Sequence, residues 1–286
     1  IPQYSQVGKI GAYTFLRPAD AITGTVLSTR GCRAQCGFCS VRSVNGVGVR
    51  LREVAAVVEE VERLVAQYGV RHIMWLDDDL FYDRARAVAL FSALAERRLG
   101  ITWDASNGII AAALTPELLR ACVASGCAGF NIGVESGNAE MLRMMKKPGT
   151  VETFRRSAEM LRAEAPTIFT KGFLMLGFPD ETIGMMNDTV RLAVEMGLDW
   201  YPSQILTPMP GTPIYKLMAK EGLLGDIPAT VLGKARTFSV GATGTMRQRE
   251  RAEKAAAKPF RDLLAGDQAR VPERAEMEDI WFALDY

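Results

Sequence analysis

The sequence predicts an α/β protein, a partial (β/α)6 TIM-like barrel in which six parallel strands curl into an open sheet with helices outside. Short runs rich in β-branched and aromatic residues alternate six times with longer runs whose apolar residues recur at helical spacing, as in parallel strand–helix units. Polar or glycine-rich residues follow every predicted strand, which is expected where one rim of a barrel carries a site. Six units are too few for a closed barrel of eight strands.

The six predicted strands are the runs 24–29, 72–76, 101–106, 129–135, 168–176 and 201–206. Helices are predicted at 51–68, 84–98, 138–146, 150–164, 184–196 and 212–221. One more helix begins at Pro116, with Thr115 as its N-cap. In the first helix the apolar residues from Val54 to Val65 form one stripe at i, i+3, i+4 and i+7. Gly69 ends that helix.

Three parts of the chain differ in their patterning. Residues 1–21 mix glycine, proline and polar residues without a period, and we interpret them as an N-terminal linker. The strand–helix core spans 22–222, and 223–286 form a C-terminal extension. We expect the polypeptide to be truncated, because it begins without a methionine and stops inside 279–286, an apolar run that we assign to a strand.

Composition argues against several classes of protein. The 286 residues carry a net charge of +1, which provides no general attraction for nucleic acid or an anionic membrane. No apolar run reaches the roughly 18 residues of a membrane span, and no signal peptide is visible. Five cysteines, three of them clustered, do not match a secreted disulfide scaffold. We therefore predict a cytoplasmic protein that does not bind nucleic acid.

The loop after the first strand holds the clustered cysteines, Cys32, Cys36 and Cys39. A disulfide framework, a zinc site and an iron–sulfur cluster are the alternatives. Structural zinc takes four protein ligands, but the one histidine, His72, begins a strand and so lies at the opposite rim. Cys122 and Cys127 lie near that rim too and are expected to be small buried hydrophobes. Three thiolates on a four-iron cluster would leave one iron open for a ligand.

The motif Cys32-x-x-x-Cys36-x-Phe38-Cys39, placed after the first strand, resembles the radical S-adenosylmethionine (SAM) superfamily over roughly residues 22–222. The resemblance implies a partial barrel of the radical SAM type, with a 4Fe–4S cluster on the three cysteines, SAM on the fourth iron, and Phe38 beside the cofactors. It also implies reductive cleavage of SAM to a 5′-deoxyadenosyl radical, which abstracts hydrogen from a small-molecule substrate. The reducing partner would be flavodoxin or ferredoxin.

Residues at the strand ends resemble the SAM-binding segments of the superfamily. Asp77 and Asp78 would receive the ammonium group of SAM, and an acidic turn with a helix cap is the alternative. Glu135, in "GVESG", would accept hydrogen bonds from the ribose hydroxyls or the amine. Its alternative role is a carboxylate at a helix start. Ser106 could donate to the cofactor or begin a turn.

The segment "FLMLGFPDET" (173–182) resembles the strand that lies beside the adenine. Met175 would face the base, and Gly177 would permit close approach by the nucleoside. Leu206 would pad the same pocket, whereas Lys171 would either meet the SAM carboxylate or be structural. Either acidic residue of the segment could instead cap the following helix.

Four stretches, "WLDDDLFYD", "GVESG", "GFPDET" and "LTPMPGTPIY", look most like the cobalamin-binding branch of the superfamily. This implies a methyltransferase or a magnesium-protoporphyrin ester cyclase whose cobalamin is bound by a preceding domain absent from this chain. A cobalamin-independent radical SAM enzyme, such as a tRNA methylthiotransferase, is the alternative. A non-catalytic iron–sulfur protein is a third hypothesis, and it would have no affinity for SAM.

Overall fold

The computed structural model describes residue 18, residues 20–224 and residues 260–285. Most of the predicted linker and residues 225–259 of the predicted extension lie outside this range. The strands are β1 (Ile22–Val26), β2 (Thr29–Arg30), β3 (Arg50–Leu51), β4 (Val70–Trp75), β5 (Thr102–Ile109), β6 (Cys127–Glu135), β7 (Phe169–Leu176) and β8 (Ser203–Ile205).

The described helices are α1 (Val41–Asn45), α2 (Val54–Tyr68), α3 (Arg84–Arg97), α4 (Pro116–Ala124), α5 (Ala139–Met144), α6 (Val151–Glu164), α7 (Ile183–Met196), α8 (Pro213–Lys220), α9 (Phe260–Leu263) and α10 (Arg274–Asp285). Of these, α2 to α8 lie close to predicted helices, whereas α1, α9 and α10 lie where no helix is predicted. The predicted caps are present: Thr115 accepts a hydrogen bond from the Leu118 N–H at 3.2 Å, and Gly69 adopts the left-handed conformation.

Six strands form one parallel sheet in the order β1-β4-β5-β6-β7-β8, so the strands of this sheet follow one another in chain order, with β2 and β3 left outside it. The sheet curls into a half-barrel, which confirms the predicted α/β partial barrel. Its outer face packs on the helices around an aromatic cluster in which Phe91 stacks on Trp103 at 4.4 Å between ring centroids. Trp75 meets both rings edge-on. Because both faces of such a sheet are covered, the carboxyl ends of the strands provide the open rim.

Polar side chains occupy the interior of the half-barrel near its floor. The imidazole of His72 lies 2.7 Å from the Thr102 hydroxyl and 2.8 Å from the Asp104 carboxylate, and its ring is fully buried. Asn131 on β6 stands opposite Lys171 on β7. The structural role that the sequence predicts for His72 agrees with these contacts, because buried polar groups need partners.

The segment after β1 leaves the main sheet, which the sequence analysis does not predict. The predicted strand 24–29 is interrupted after Val26, and β2 pairs with β3 in a separate two-stranded antiparallel ribbon. Between the strands of this ribbon lie the cysteine loop and α1, a helix of five residues with none of them buried.

The predicted C-terminal strand at 279–286 is wrong for residues 279–285, the part of that run that the structure describes. Residues Arg274–Asp285 form α10, whose buried Met277, Ile280 and Trp281 recur at helical spacing. A short apolar run cannot be assigned to helix or strand by its periodicity alone. The Trp281 indole donates a 2.8 Å hydrogen bond to the Ser203 carbonyl of β8, so the helix covers the last strand of the sheet.

Candidate cofactor site

A cleft of about 410 Å³ opens at the carboxyl ends of the strands. The cleft is lined by the cysteine loop, α1, the ends of β4, β5 and β6, the segment after α5, and Phe173 of β7. Of the residues predicted for the site, those lining the cleft are Cys32, Cys36, Phe38, Cys39, Asp78 and Glu135. The cysteine motif and the carboxyl ends of the strands therefore line the same cleft.

The three thiols of the loop are half-buried and unbridged. Burial raises the pKa of Cys32 to about 11. Burial also raises the pKa of Cys36, against the opposing effect of the Lys147 ammonium. Such thiols become thiolates when a metal binds them, and three thiolates in one cleft suit an iron–sulfur cluster. In the described residues, no three His, Cys, Asp or Glu side chains are arranged to hold a single metal ion.

Asp77 accepts hydrogen bonds from the residues that lead into the cysteine loop. Its carboxylate accepts hydrogen bonds from the Ser28 N–H at 3.0 Å, the Ser28 hydroxyl at 2.6 Å and the Thr29 N–H at 2.6 Å. The residue is 2% exposed, and burial raises the pKa of Asp77 although these hydrogen bonds oppose the rise. It does not line the cleft. Its interaction with SAM stays a prediction.

The next two aspartates hold the same loop further along. Asp78 accepts from the Gly31 N–H at 2.8 Å and the Asn45 amide at 2.7 Å, and it also lines the cleft. Asp79 forms two hydrogen bonds with the Arg33 guanidinium, at 2.7 and 2.9 Å. Gly31 adopts φ +92°, and a Cβ there would lie 2.1 Å from the Gly48 carbonyl oxygen. Only glycine fits at this crossing of the ribbon.

A buried ion pair between Glu135 and Lys147 lies beside the cysteines. The sequence analysis predicts Glu135 as a site residue but does not identify Lys147. Lys147 Nζ lies 2.8 Å from Glu135 Oε1, with side-chain exposures of 11% and 10%. Burial lowers the pKa of Lys147, whereas the negative charges of Glu135 and then Cys36 raise it. The two charges outweigh the burial, so the pKa of Lys147 lies above its usual value. A Cβ on Gly133 would lie 2.5 Å from the ammonium. Nothing in one sequence distinguishes Lys147 from its exposed neighbour Lys146, because the difference arises from packing.

Glu135 itself has an unusual backbone conformation. Its φ is +65°, a left-handed value that non-glycine residues rarely adopt. The pairing register of β6 with β7 shifts between Gly133 and Glu135. Backbone strain of this kind concentrates at functional sites, and Glu135 lines the cleft at the end of β6. Its contact with SAM stays a prediction.

An apolar cluster lies next to the cleft and contains most of the residues predicted for the adenine side. Met175 and Phe38 pack on a buried group that includes Phe178 and Leu206. The rings of Phe38 and Phe178 meet edge-on with centroids 5.9 Å apart. Gly177 adopts φ +83° at the turn after β7. Met175, Gly177 and Leu206 do not themselves line the cleft, so their contact with SAM stays a prediction.

Glu181 closes the turn after β7. Its carboxylate accepts from the Gly177 N–H at 2.6 Å and the Phe178 N–H at 3.2 Å. Burial raises the pKa of Glu181 to about 7. The cap of α7 is Thr182, which accepts from the Met185 N–H. The alternative that an acidic residue of this segment caps the helix is therefore wrong.

Ser106 and Lys171 are not among the residues that line the cleft. Ser106 donates to the Asp104 carboxylate. Lys171 precedes Phe173, which lines the cleft, by two residues of β7, or about 7 Å along a strand. Burial lowers the pKa of Lys171, and the Asp104 carboxylate opposes that shift. The structure does not bring these two residues to the cysteines, and their contact with SAM stays a prediction.

The sequence profile described as the radical SAM superfamily matches residues 26–193, more than half of the chain. The chain belongs to the radical SAM superfamily. Enzymes of this superfamily use a 4Fe–4S cluster and SAM and need a reductant, so membership of the family confirms the predicted enzyme class and these two cofactors. No helix among the described residues is long and apolar enough to cross a bilayer.

Several known proteins are similar to this radical SAM chain. An uncharacterised methyltransferase of Pyrococcus horikoshii is 29% identical over 208 residues, which are 72% of this chain and 44% of the relative. A tRNA-2-methylthio-N(6)-dimethylallyladenosine synthase of Aeromonas hydrophila is 29% identical over 212 residues, covering 68% of this chain and 42% of that protein. The chain thus spans less than half the length of these relatives.

Among solved structures, the radical SAM methyltransferase TsrM from Kitasatospora setae, with cobalamin and a [4Fe-4S] cluster bound, has the same fold. The TM-score is 0.63 and the sequence identity 24%, over 70% of this chain and 37% of that chain. The likeness supports the half-barrel architecture of the described core.

Proposed function

We propose that this chain is the radical SAM unit of a cobalamin-dependent methyltransferase or cyclase. The observation that carries the proposal is the cleft in which the three thiols lie beside the buried Glu135–Lys147 ion pair. The methyltransferase relative and TsrM support the choice of branch. When bound, the 4Fe–4S cluster supplies the electron that cleaves SAM, and the resulting 5′-deoxyadenosyl radical takes hydrogen from the substrate.

The Glu135–Lys147 pair is the receptor for the amino-acid end of SAM in this proposal. That end carries an ammonium and a carboxylate, which are opposite in charge to Glu135 and Lys147. Each protein charge is partnered by the other at 2.8 Å, and each can exchange this partner for the matching group of the ligand without leaving a buried charge unpaired. Lys147 thus takes the carboxylate role that the sequence resemblance assigned to Lys171.

The remaining cleft residues position the rest of the ligand. Cys32, Cys36 and Cys39 hold the cluster, and Phe38, Met175 and Leu206 form the apolar side against the adenine. Asp78 is available to the ammonium group because its carboxylate lines the cleft. Flavodoxin or ferredoxin supplies the electron, the substrate is a small molecule, and the enzyme works in the cytoplasm.

Anaerobic reconstitution tests the radical SAM reaction. The loaded protein should bind four irons and four sulfides per chain and release 5′-deoxyadenosine when dithionite and SAM are added. Cys36→Ala should lose the cluster. Cys127→Ala is the matched control and should keep it, because Cys127 is buried in the hydrophobic core. A loaded protein that releases no 5′-deoxyadenosine would contradict the proposal.

A tRNA methylthiotransferase is the second candidate, since the Aeromonas hydrophila synthase is as similar as the methyltransferase relative. Hydroxocobalamin added to the full-length protein distinguishes the two candidates. Retention of a cobalamin spectrum after gel filtration supports the first, whereas methylthiolation of bulk tRNA without cobalamin supports the second.

A further inference from the structure

The surface beside the cysteine loop is both apolar and positively charged. Val44 on α1 and Val47 after it are 76% and 74% exposed. Arg30 on β2 and Arg50 on β3 are exposed as well. We call these four residues the α1–ribbon surface. Arg50 connects its two parts, because Arg50 donates to the Asn45 carbonyl of α1 and is the register partner of Arg30 across the ribbon.

The positive charge is concentrated in this part of the chain. Residues 21–52 contain five arginines and no aspartate or glutamate, although the whole chain has a net charge of only +1. Arg33 is paired with Asp79 and Arg52 with Glu60. Within the described residues, Arg30 and Arg50 have no carboxylate partner. The local excess of positive charge therefore faces the solvent.

The ribbon pairs two arginines directly across from each other. Arg30 and Arg50 are register partners in the antiparallel pairing of β2 with β3. Like charges at directly opposed positions destabilise a strand pair. An arrangement that is unfavourable in the isolated chain becomes favourable when an anionic surface lies against it, so the pair indicates an acidic partner.

The α1–ribbon surface also lies close to the cysteines that would hold the cluster, which is the group that receives the electron. Val44 follows Cys39 by five residues, which is roughly 7 Å of rise at helical spacing. Exposed apolar residues with a charged rim are typical of small, transient interfaces, including those of electron-transfer proteins. The patch has no exposed aromatic residue on which a base could stack, which favours a protein partner over single-stranded RNA.

We propose that the α1–ribbon surface is the docking site of an acidic one-electron carrier protein with a low-potential flavin or iron–sulfur centre. This inference rests on the proposed function, because it assumes a cluster on Cys32, Cys36 and Cys39. In the bound pair the carrier loses one electron and the cluster gains it, and no bond forms or breaks. The arginines steer the encounter, and Val44 and Val47 supply the apolar contact.

Stopped-flow reduction of the reconstituted full-length enzyme tests this inference, with reduced flavodoxin as the carrier. The double variant Arg30→Glu/Arg50→Glu should reduce the second-order rate about tenfold or more at low salt. The difference should shrink as salt is added. Val44→Asp should also slow the reaction. Reduction by dithionite, which needs no protein contact, should remain within about twofold of wild type.

Matched controls lie on the helices outside the barrel. Arg156→Glu/Arg191→Glu makes the same change in net charge at side chains that are 67% and 66% exposed. Val194→Asp matches Val44→Asp at an exposure of 77%. Equal flavodoxin rates in the α1–ribbon variants and in these controls would overturn the docking site. So would equal slowing of the dithionite reaction, or loss of tRNA binding with an unchanged flavodoxin rate.

The test also separates this inference from the proposed function. Failure of the proposed function would appear as no 5′-deoxyadenosine with dithionite and SAM, whatever carrier is used. Failure of the docking site would leave that reaction intact and the flavodoxin rate insensitive to Arg30 and Arg50.

Discussion

Lys146 and Lys147 are neighbours in the sequence with opposite environments. Lys146 is exposed, whereas the Lys147 ammonium is nine-tenths buried and paired with Glu135 beside the cysteines. Removing a charged hydrogen-bond partner of a ligand costs about 1.5–3 kcal/mol, and 1.4 kcal/mol is tenfold in affinity.

Lys147→Met should therefore weaken SAM binding to the cluster-loaded protein by about 10- to 100-fold. Lys146→Met should leave the dissociation constant within about twofold of wild type, because its side chain lies in solvent. Anaerobic isothermal titration calorimetry measures both values. If the two variants bind SAM equally well, Lys147 does not hold the carboxylate.

Glu181 predicts a dependence of stability on pH. Burial raises the pKa of Glu181 to about 7 in the folded state, whereas an unfolded glutamate titrates near 4.3. The Glu181 carboxyl therefore keeps its proton to a higher pH in the folded state than in the unfolded state. The contribution of protonated Glu181 to the free energy of unfolding is fully present below about pH 4.3 and is lost as the pH rises through about 7. Glu181→Gln carries no charge and avoids this loss.

The free energy of unfolding of Glu181→Gln, relative to wild type, should rise by about 1–3 kcal/mol between pH 5 and pH 8. Urea denaturation at the two pH values measures the change. Exposed Glu159→Gln should change the unfolding free energy by less than about 0.5 kcal/mol at either pH. A pH-independent offset for Glu181→Gln would show that the carboxylate is ionised throughout this range.

At the scale of elements, the end of β4 organises the loop that follows β1. Three successive aspartates accept hydrogen bonds from the backbone and side chains of residues 28–45. The resemblance to the superfamily predicts Asp77 and Asp78 as ligand contacts. Their hydrogen bonds to the cysteine loop could not be predicted from the sequence. Those bonds join residues more than 30 positions apart.

Asp77→Asn should lower the iron content after reconstitution and reduce the unfolding free energy by about 2 kcal/mol. The reason is that an amide cannot accept all the hydrogen bonds that Ser28 and Thr29 donate. Iron analysis and urea denaturation measure the two effects. Asp83→Asn is the control, because asparagine caps α3 as well as aspartate does. Wild-type iron content in Asp77→Asn would mean that the loop does not depend on this carboxylate.

At the scale of the whole molecule, α10 completes the core at the end of the sheet. Trp281 is 5% exposed and bonds to the Ser203 carbonyl, while Met277 and Ile280 pack on Leu176 and Ile183. An unpaired edge strand is a site for aggregation unless another element covers it. The helix therefore stabilises the barrel although it lies more than 50 residues beyond α8.

Trp281→Ala should cost about 3–5 kcal/mol of unfolding free energy, as expected for a large aromatic side chain removed from a core. Trp200→Ala should cost less than about 1 kcal/mol, since the Trp200 side chain is 57% exposed. Urea denaturation followed by circular dichroism compares the two. Similar losses would show that α10 contributes little to the stability of the barrel.

The sequence by itself determined the parallel strand–helix alternation, the caps at Thr115 and Gly69, and the cysteine motif that led to the superfamily. Each of these depends on residues that are neighbours along the chain, so spacing and residue type are enough to encode it. Only the tertiary structure decided that Lys147 pairs with Glu135, that Arg30 faces Arg50 across a ribbon, and that 279–285 is a helix against β8. These features depend on which distant segments meet and exclude water, and local periodicity carries no record of those contacts.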